Sequence, residues 1–112
     1  GFETVTSYAL PLLKELKGQG VKSNDSLIQV LLSLMAIAED SNILGRHNMD
    51  VLEFVKVDAR TALNFGGYLS SNGREYVEEM DRYFIKKNIS PGGSADLLAV
   101  TIMLYLLEMG DI

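Results

Sequence analysis

Two short stretches of this chain concentrate the groups that could do chemistry. The first, Glu39-Asp40-Ser41-Asn42-Ile43-Leu44-Gly45-Arg46-His47-Asn48, packs two carboxylates, two amides, a guanidinium and the only histidine into ten residues. The second, Asn88-Ile89-Ser90-Pro91-Gly92-Gly93-Ser94-Ala95-Asp96, is a glycine-bearing turn that opens onto an apolar run. Such a turn before a helix leaves backbone N–H groups at the positive end of the helix dipole, where phosphate binds well. Asp96 changes that chemistry. A carboxylate beside a phosphate repels it unless a cation lies between them, and carboxylate plus polyphosphate is a usual way to hold magnesium. Both stretches also have a plain structural reading. Acids and amides cap helices, arginine pairs with acids, Pro91 and the glycines make a turn, and Ser94 caps the helix that follows while Asp96 complements its dipole. His47 beside Asn48 reads as a surface residue.

Composition narrows the partners. Ten Lys and Arg stand against fifteen Asp and Glu, a net charge of −5, so the cationic face that a nucleic-acid backbone needs is not expected. The chain has no cysteine and one histidine. That excludes disulfides, thiolate zinc sites and multi-histidine metal centres, and it fits a cytoplasmic protein. Hydrophobic residues at 47% and charged residues at 22% are the balance of a globular chain rather than a disordered one. With 112 residues the expectation is one domain, residues 1–112, around one core. No uninterrupted apolar run reaches membrane-spanning length, so no membrane partner is expected. The chain opens Gly1-Phe2-Glu3, without methionine or a signal peptide, and reads as a piece of a longer protein.

The elements that must position the two stretches are helical. Val5, Tyr8, Ala9, Leu12, Leu13 and Leu16 recur at helical spacing, with Pro11 kinking that helix or opening a second one, and Gly18 and Gly20 ending it. A second helix starts at Ser23, Asn24 or Asp25. From Leu27 to Ala38 only Gln29 and Ser33 are polar, the composition of a central helix. Gln29, Ser33, Ala36 and Asp40 fall on one line of its surface, which is either a groove that admits something polar or a close helix contact through small residues. A third helix is expected over about Asp50–Asn64, a fourth over Arg74–Lys87 and a fifth over Ser94–Met109, again apolar on most sides. No alternation of period two persists, so the fold class is all-α: a bundle of about five helices with two buried central ones, Leu27–Ala38 and Leu97–Leu107.

Ile89-Ser90-Pro91-Gly92-Gly93-Ser94-Ala95-Asp96-Leu97-Leu98-Ala99-Val100-Thr101 closely resembles the C-terminal signature of the triphosphoribosyl-dephospho-coenzyme A synthases, which make the prosthetic-group precursor of citrate lyase or malonate decarboxylase. Asp40-Ser41-Asn42-Ile43-Leu44 followed by Arg46 resembles a second family motif, and Gly1-Phe2, Thr4-Val5 and Leu10-Pro11 resemble the start of the family's C-terminal half. Two departures are visible: Gly45 stands where the family tends to have histidine, and His47-Asn48 where many members have glycines.

The resemblance implies a C-terminal fragment of an enzyme that moves the triphosphoribosyl group of ATP to the 2′-hydroxyl of 3′-dephospho-coenzyme A and releases adenine. Its partners would be ATP, 3′-dephospho-coenzyme A, Mg2+ and the missing N-terminal half. Asp40 and Asp96 are then candidate magnesium ligands or bases. Asn42, Arg46, Ser90, Gly92, Gly93 and Ser94 are candidate phosphate or substrate contacts. The fragment alone would be inactive, with apolar surface left exposed and a tendency to self-associate. The alternative is a helical protein-interaction or oligomerisation module without catalysis. A shared triphosphate–magnesium site further requires the two stretches, some fifty residues apart, to lie side by side.

Overall fold

Every element is helical in the computed structural model, which describes residues 1–112. The order is α1 (Phe2–Thr4), a π-helical turn (Val5–Ala9), α2 (Leu10–Gly18), α3 (Ser23–Ile37), α4 (Ser41–Arg46), α5 (Met49–Asn64), a 3-10 turn (Gly67–Leu69), α6 (Ser71–Lys86) and α7 (Gly92–Met109). The all-α class and the five long helices agree with the sequence pattern. Of the two roles the sequence allows Pro11, the structure shows the second: it stands in the first turn of a new α-helical segment. It is the second residue of α2, and the chain reaches it through the π turn, whose last bond runs from Leu10 N–H to the Val5 carbonyl. The wider turn lets a residue without an N–H follow in a continuous helical path.

α3 is the centre of the molecule. Leu32, Met35 and Ala36 on one side join α5 and α6 in a core with Leu52, Val55, Ala59, Ala62, Met80 and Phe84. Val30 and Leu34 on another side join Ala9, Leu13 and Leu16 of the N-terminal helices and Tyr105 of α7. Burial of this kind stabilises by roughly 2 kcal/mol per large aliphatic side chain. The line through Gln29, Ser33 and Ala36 is a close contact, not a groove. Ser33 Oγ donates back to the Gln29 carbonyl, and Gln29 Oε1 accepts from Tyr68 N–H at 2.8 Å. Gly67 is left-handed at φ +59°, and a Cβ there would lie 2.1 Å from Gln29 Oε1, so only glycine lets that turn close on α3.

Three sequence expectations are corrected. α3 stops at Ile37, because Ala38 turns extended (ψ 139°), so Asp40 is not the end of that helix. Asp40 is instead the N-cap of α4, a short helix in what the sequence presents as a loop. The second central helix is also not buried: of α7 only Ser94, Thr101 and Tyr105 are, while Met103 is 53% and Leu107 77% exposed. A helix apolar on every side signals burial only if neighbours exist on every side, and this chain supplies them for one face. By length and composition α7 would also suffice to cross a membrane. However, its inner face is packed into the core and Asp96 interrupts its outer one. On α6, Met80 and Phe84 are buried, Tyr76 is half-buried and Tyr83 is exposed.

Between α5 and α6 the Tyr76 hydroxyl donates to Asp58. That bond, then burial, then the Asp58 charge raise the Tyr76 pKa above its ordinary value of 10.0. A raised folded-state value favours the neutral phenol, so the contribution to stability is complete below pH 10 and is lost as pH rises through the folded-state pKa. Asp58→Asn should return the Tyr76 titration, followed by ultraviolet absorbance, toward the unperturbed value. An unchanged midpoint would show that the aspartate is not the cause.

Candidate functional site

The two motif-bearing stretches meet. Asp40 leaves the extended Ala38–Asp40 link and caps α4 with one carboxylate oxygen, Oδ1, which accepts from Asn42 N–H at 3.0 Å and Ile43 N–H at 3.2 Å. The same oxygen accepts from Gly93 N–H at 3.1 Å, while Oδ2 accepts from Ser94 N–H at 2.9 Å and Ser94 Oγ at 3.2 Å. One carboxylate, only 2% exposed, thus caps two helices whose starts are fifty residues apart in sequence. Bonds from neutral donors to a charged acceptor contribute about 1.5–3 kcal/mol each, and the N-termini of α4 and α7 both present positive dipole ends to the anion. Ser94 lies inside α7 as its third residue and does not cap it; the cap comes from Asp40.

Neighbouring side chains tighten the same seam. Asn42 Nδ2 donates to the Ser90 carbonyl at 2.7 Å, and His47 Nε2 lies 3.0 Å from the Asn88 carbonyl. Against a carbonyl the imidazole nitrogen can only donate, so His47 carries its proton on Nε2 there. The glycines answer to this packing. A Cβ on Gly93 would sit 2.9 Å from Asp40 Oδ1, and one on Gly92 3.0 Å from the Asn42 amide nitrogen.

Beside the seam lies a pocket of about 440 Å³. Asp40, Ser41 and Gly93 line it, with Glu39, Asp96 and Thr4. The three carboxylates differ in what they already hold. The Asp40 oxygens are taken up by the five bonds above. Glu39 pairs with Lys56 at 2.7 Å. Asp96 is exposed and makes neither an ion pair nor a side-chain hydrogen bond. No three acidic or histidine side chains converge in the geometry of a protein-only metal site. Arg46 stands at the far end of α4, exposed, without an ion pair and outside the pocket lining. Ser90 and Gly92 belong to the seam but also do not line the pocket. Gly1, Thr4, Ile37, Ala38 and Leu97 also line the pocket and lie outside the two stretches, Thr4 being the hydroxyl among them. The one sequence signal of Thr4 is its place in the opening segment that shares the family resemblance.

Other concavities lie elsewhere on the surface. A cleft of about 500 Å³ between α5 and α6 holds Asp58 and Tyr76, which already bond each other. A cleft of about 400 Å³ is lined by His47, Phe54, Tyr83 and Lys87. Neither contains residues of both helix starts joined by Asp40.

Two substitutions test the seam. Asp40→Asn replaces one acceptor by an amide that faces buried N–H donors, and should cost about 2–4 kcal/mol of folding free energy in denaturant melts. Gly93→Ala pushes a methyl group into the pinned carboxylate and should cost about 1–3 kcal/mol. If either variant melts like the parent chain, Asp40 does not tie the two helices.

The comparisons with known proteins cover nearly the whole chain. Residues 1–111 match the family model described as CitG, ATP:dephospho-CoA triphosphoribosyl transferase. The chain is 40% identical over 111 residues to 2-(5''-triphosphoribosyl)-3'-dephosphocoenzyme-A synthase of Escherichia fergusonii, covering 99% of this chain and 37% of that protein. It is 40% identical over 110 residues to the synthase of Klebsiella pneumoniae, covering 98% of this chain and 36% of that protein. The protein of the same name in Pectobacterium atrosepticum is 44% identical over 105 residues, covering 94% and 33%. The chain therefore spans about a third of the length of these curated relatives, and no solved structure matches it. With nearly every residue matched, the chain belongs to the ATP:dephospho-CoA triphosphoribosyl transferase family.

Proposed function

We propose that these 112 residues are the C-terminal part of an enzyme that transfers the triphosphoribosyl group of ATP to 3′-dephospho-coenzyme A. The observation that carries this reading is the meeting of the two family-like stretches at one pocket, joined through Asp40. In the reaction the acceptor's 2′-hydroxyl attacks C1 of the ATP ribose. The bond from C1 to adenine breaks, adenine leaves, and the triphosphate stays on the transferred sugar. The hydroxyl must lose a proton, the sugar passes through an oxocarbenium-like state, and the polyphosphate must be held still.

The chain's own groups divide these tasks. Asp40 acts as a positioning residue: with its oxygens bonded to α4 and α7, it sets the two helix starts beside the pocket rather than meeting an ion. This departs from the shared-ion role that the sequence suggests for Asp40 and Asp96 together. Asp96, exposed and unpaired at the pocket, is the carboxylate free to face a magnesium–triphosphate or to take the hydroxyl proton. One carboxylate together with phosphate oxygens and water suits Mg2+, which seldom uses an all-protein cage; bound there, the ion would neutralise triphosphate charge. Gly93 and Ser94 N–H groups already serve Asp40, and Ser90 and Gly92 lie outside the pocket lining, so Ser41 is the hydroxyl left there to meet phosphate. Arg46, free of acidic partners, suits an outer phosphate in a fork geometry. Asn42 holds the Ser90 carbonyl and shapes the loop. The remaining part of the polypeptide would supply the rest of the site.

Adenine release from ATP, assayed with dephospho-coenzyme A and Mg2+, should be present in the complete polypeptide and absent from the 112-residue chain. Activity in the short chain would overturn the division of the site. In the complete polypeptide Asp96→Asn should lower kcat about a hundredfold or more with an unchanged melting temperature. Asp40→Asn should lower both activity and melting temperature. If Asp96 is the base, Asp96→Asn also removes the acid limb of the pH–rate profile. A chain that serves only as an interaction module would show no thermal stabilisation by ATP and Mg2+, even as part of the complete polypeptide.

A further inference from the structure

α7 carries an unpartnered face. Ala95, Ala99, Met103, Leu106 and Leu107 are all exposed, Leu107 at 77%. At about 100° per residue they share one arc of roughly 120°, the width of stripe that a helix turns toward a core. Asp96, on the same arc, stands at its N-terminal end and lines the 440 Å³ pocket. Ile37, 48% exposed, lines that pocket as well. The apolar stripe is therefore continuous with the wall of the candidate site.

Isolated exposed leucines need no explanation, but a full helix face does. The relatives offer a source for its cover. Nearly all of this chain aligns with 37% of the Escherichia fergusonii protein, so the greater part of that polypeptide lies outside the matched region. A second copy is a poorer occupant. Each copy carries a net charge of −5, and packing like-charged chains is opposed by their mutual repulsion. We propose that the outer face of α7 is covered by a segment of the same polypeptide beyond these 112 residues, an amphipathic helix whose apolar side lies on Ala95–Leu107. One end of that helix reaches Asp96 and closes the open side of the pocket. This rests on the reading of the chain as part of a longer enzyme, and it adds the surface by which the parts join.

The absence of cysteine makes the test direct. Leu107→Cys and Met103→Cys, with Ile85→Cys on α6 as an exposed control at 69%, are made in the 112-residue chain and in the complete polypeptide, with any other thiols removed. Modification by a water-soluble maleimide is timed. In the short chain all three positions should react at similar rates. In the complete polypeptide positions 107 and 103 should slow about tenfold or more, as for sites reached only by local opening, while position 85 stays fast. Equal rates at all three positions in the complete polypeptide would overturn the proposal. So would protection at 107 in the complete polypeptide that is lost on dilution, which assigns the face to a second copy, or a natural polypeptide no longer than these residues. Leu107→Glu gives a second reading: it should leave the short chain's melting temperature unchanged and lower that of the complete polypeptide. The labelling needs no catalysis, so an active enzyme with position 107 unprotected refutes the surface alone, and a protected position in an inactive protein refutes the reaction alone.

Discussion

The structure depends on a buried carboxylate that serves two helices at once. A charge at 2% exposure would be costly if its oxygens were not satisfied. Asp40 meets that cost by accepting from Asn42, Ile43, Gly93 and Ser94, drawing together two helix N-termini whose free N–H groups and dipoles both favour an anion. Each partner needs the other. Without Asp40, α7 begins at Pro91 with no side-chain cap of its own, and α4 loses the bonds that hold a six-residue helix. Gly92 and Gly93 then follow as consequences, since any larger residue would meet the Asn42 or Asp40 side chain.

Around that seam the rest of the fold is arranged by α3. It is the one helix that contributes to both apolar cores, so the α5–α6 layer and the N-terminal helices with α7 are held in register through a single rod. Small residues permit it. Ala36 on α3 and Ala59 and Ala62 on α5 are all buried in the same core, and Arg60 reaches back to the Ala36 carbonyl at 3.2 Å, satisfying the end of α3 where the chain turns toward Asp40. The position of the capping carboxylate is thus set by how α3 ends and by what packs beneath it.

α7 joins the two themes. Its first turn is held by Asp40 and its inner face by Thr101 and Tyr105, while its outer face meets nothing in these residues. A helix with one side in a core and the other side apolar in water is a structure awaiting a neighbour. Because Asp96 lies on that outer side and lines the pocket, the candidate site and the open face share a boundary.

Much of this was legible in the residues. The 3.6 period marks all five long helices, and the two chemical stretches announce themselves by composition. The family resemblance lies in those same stretches. Three things were decided by tertiary structure. Whether Asp40 ends one helix or starts another depends on where α3 loses its packing, and the ψ angle of Ala38 settles it. Whether the Gly92-Gly93 turn offers its N–H groups outward depends on a carboxylate from fifty residues upstream arriving to take them, which no local pattern encodes. Whether an all-round apolar helix is central depends on how many neighbours surround it, and a pattern of hydrophobic residues reports the demand for burial without naming what supplies it. Local periodicity is a property of nearby residues and so is written in the sequence. A cap shared between distant segments, and a face left open, are properties of how the segments meet.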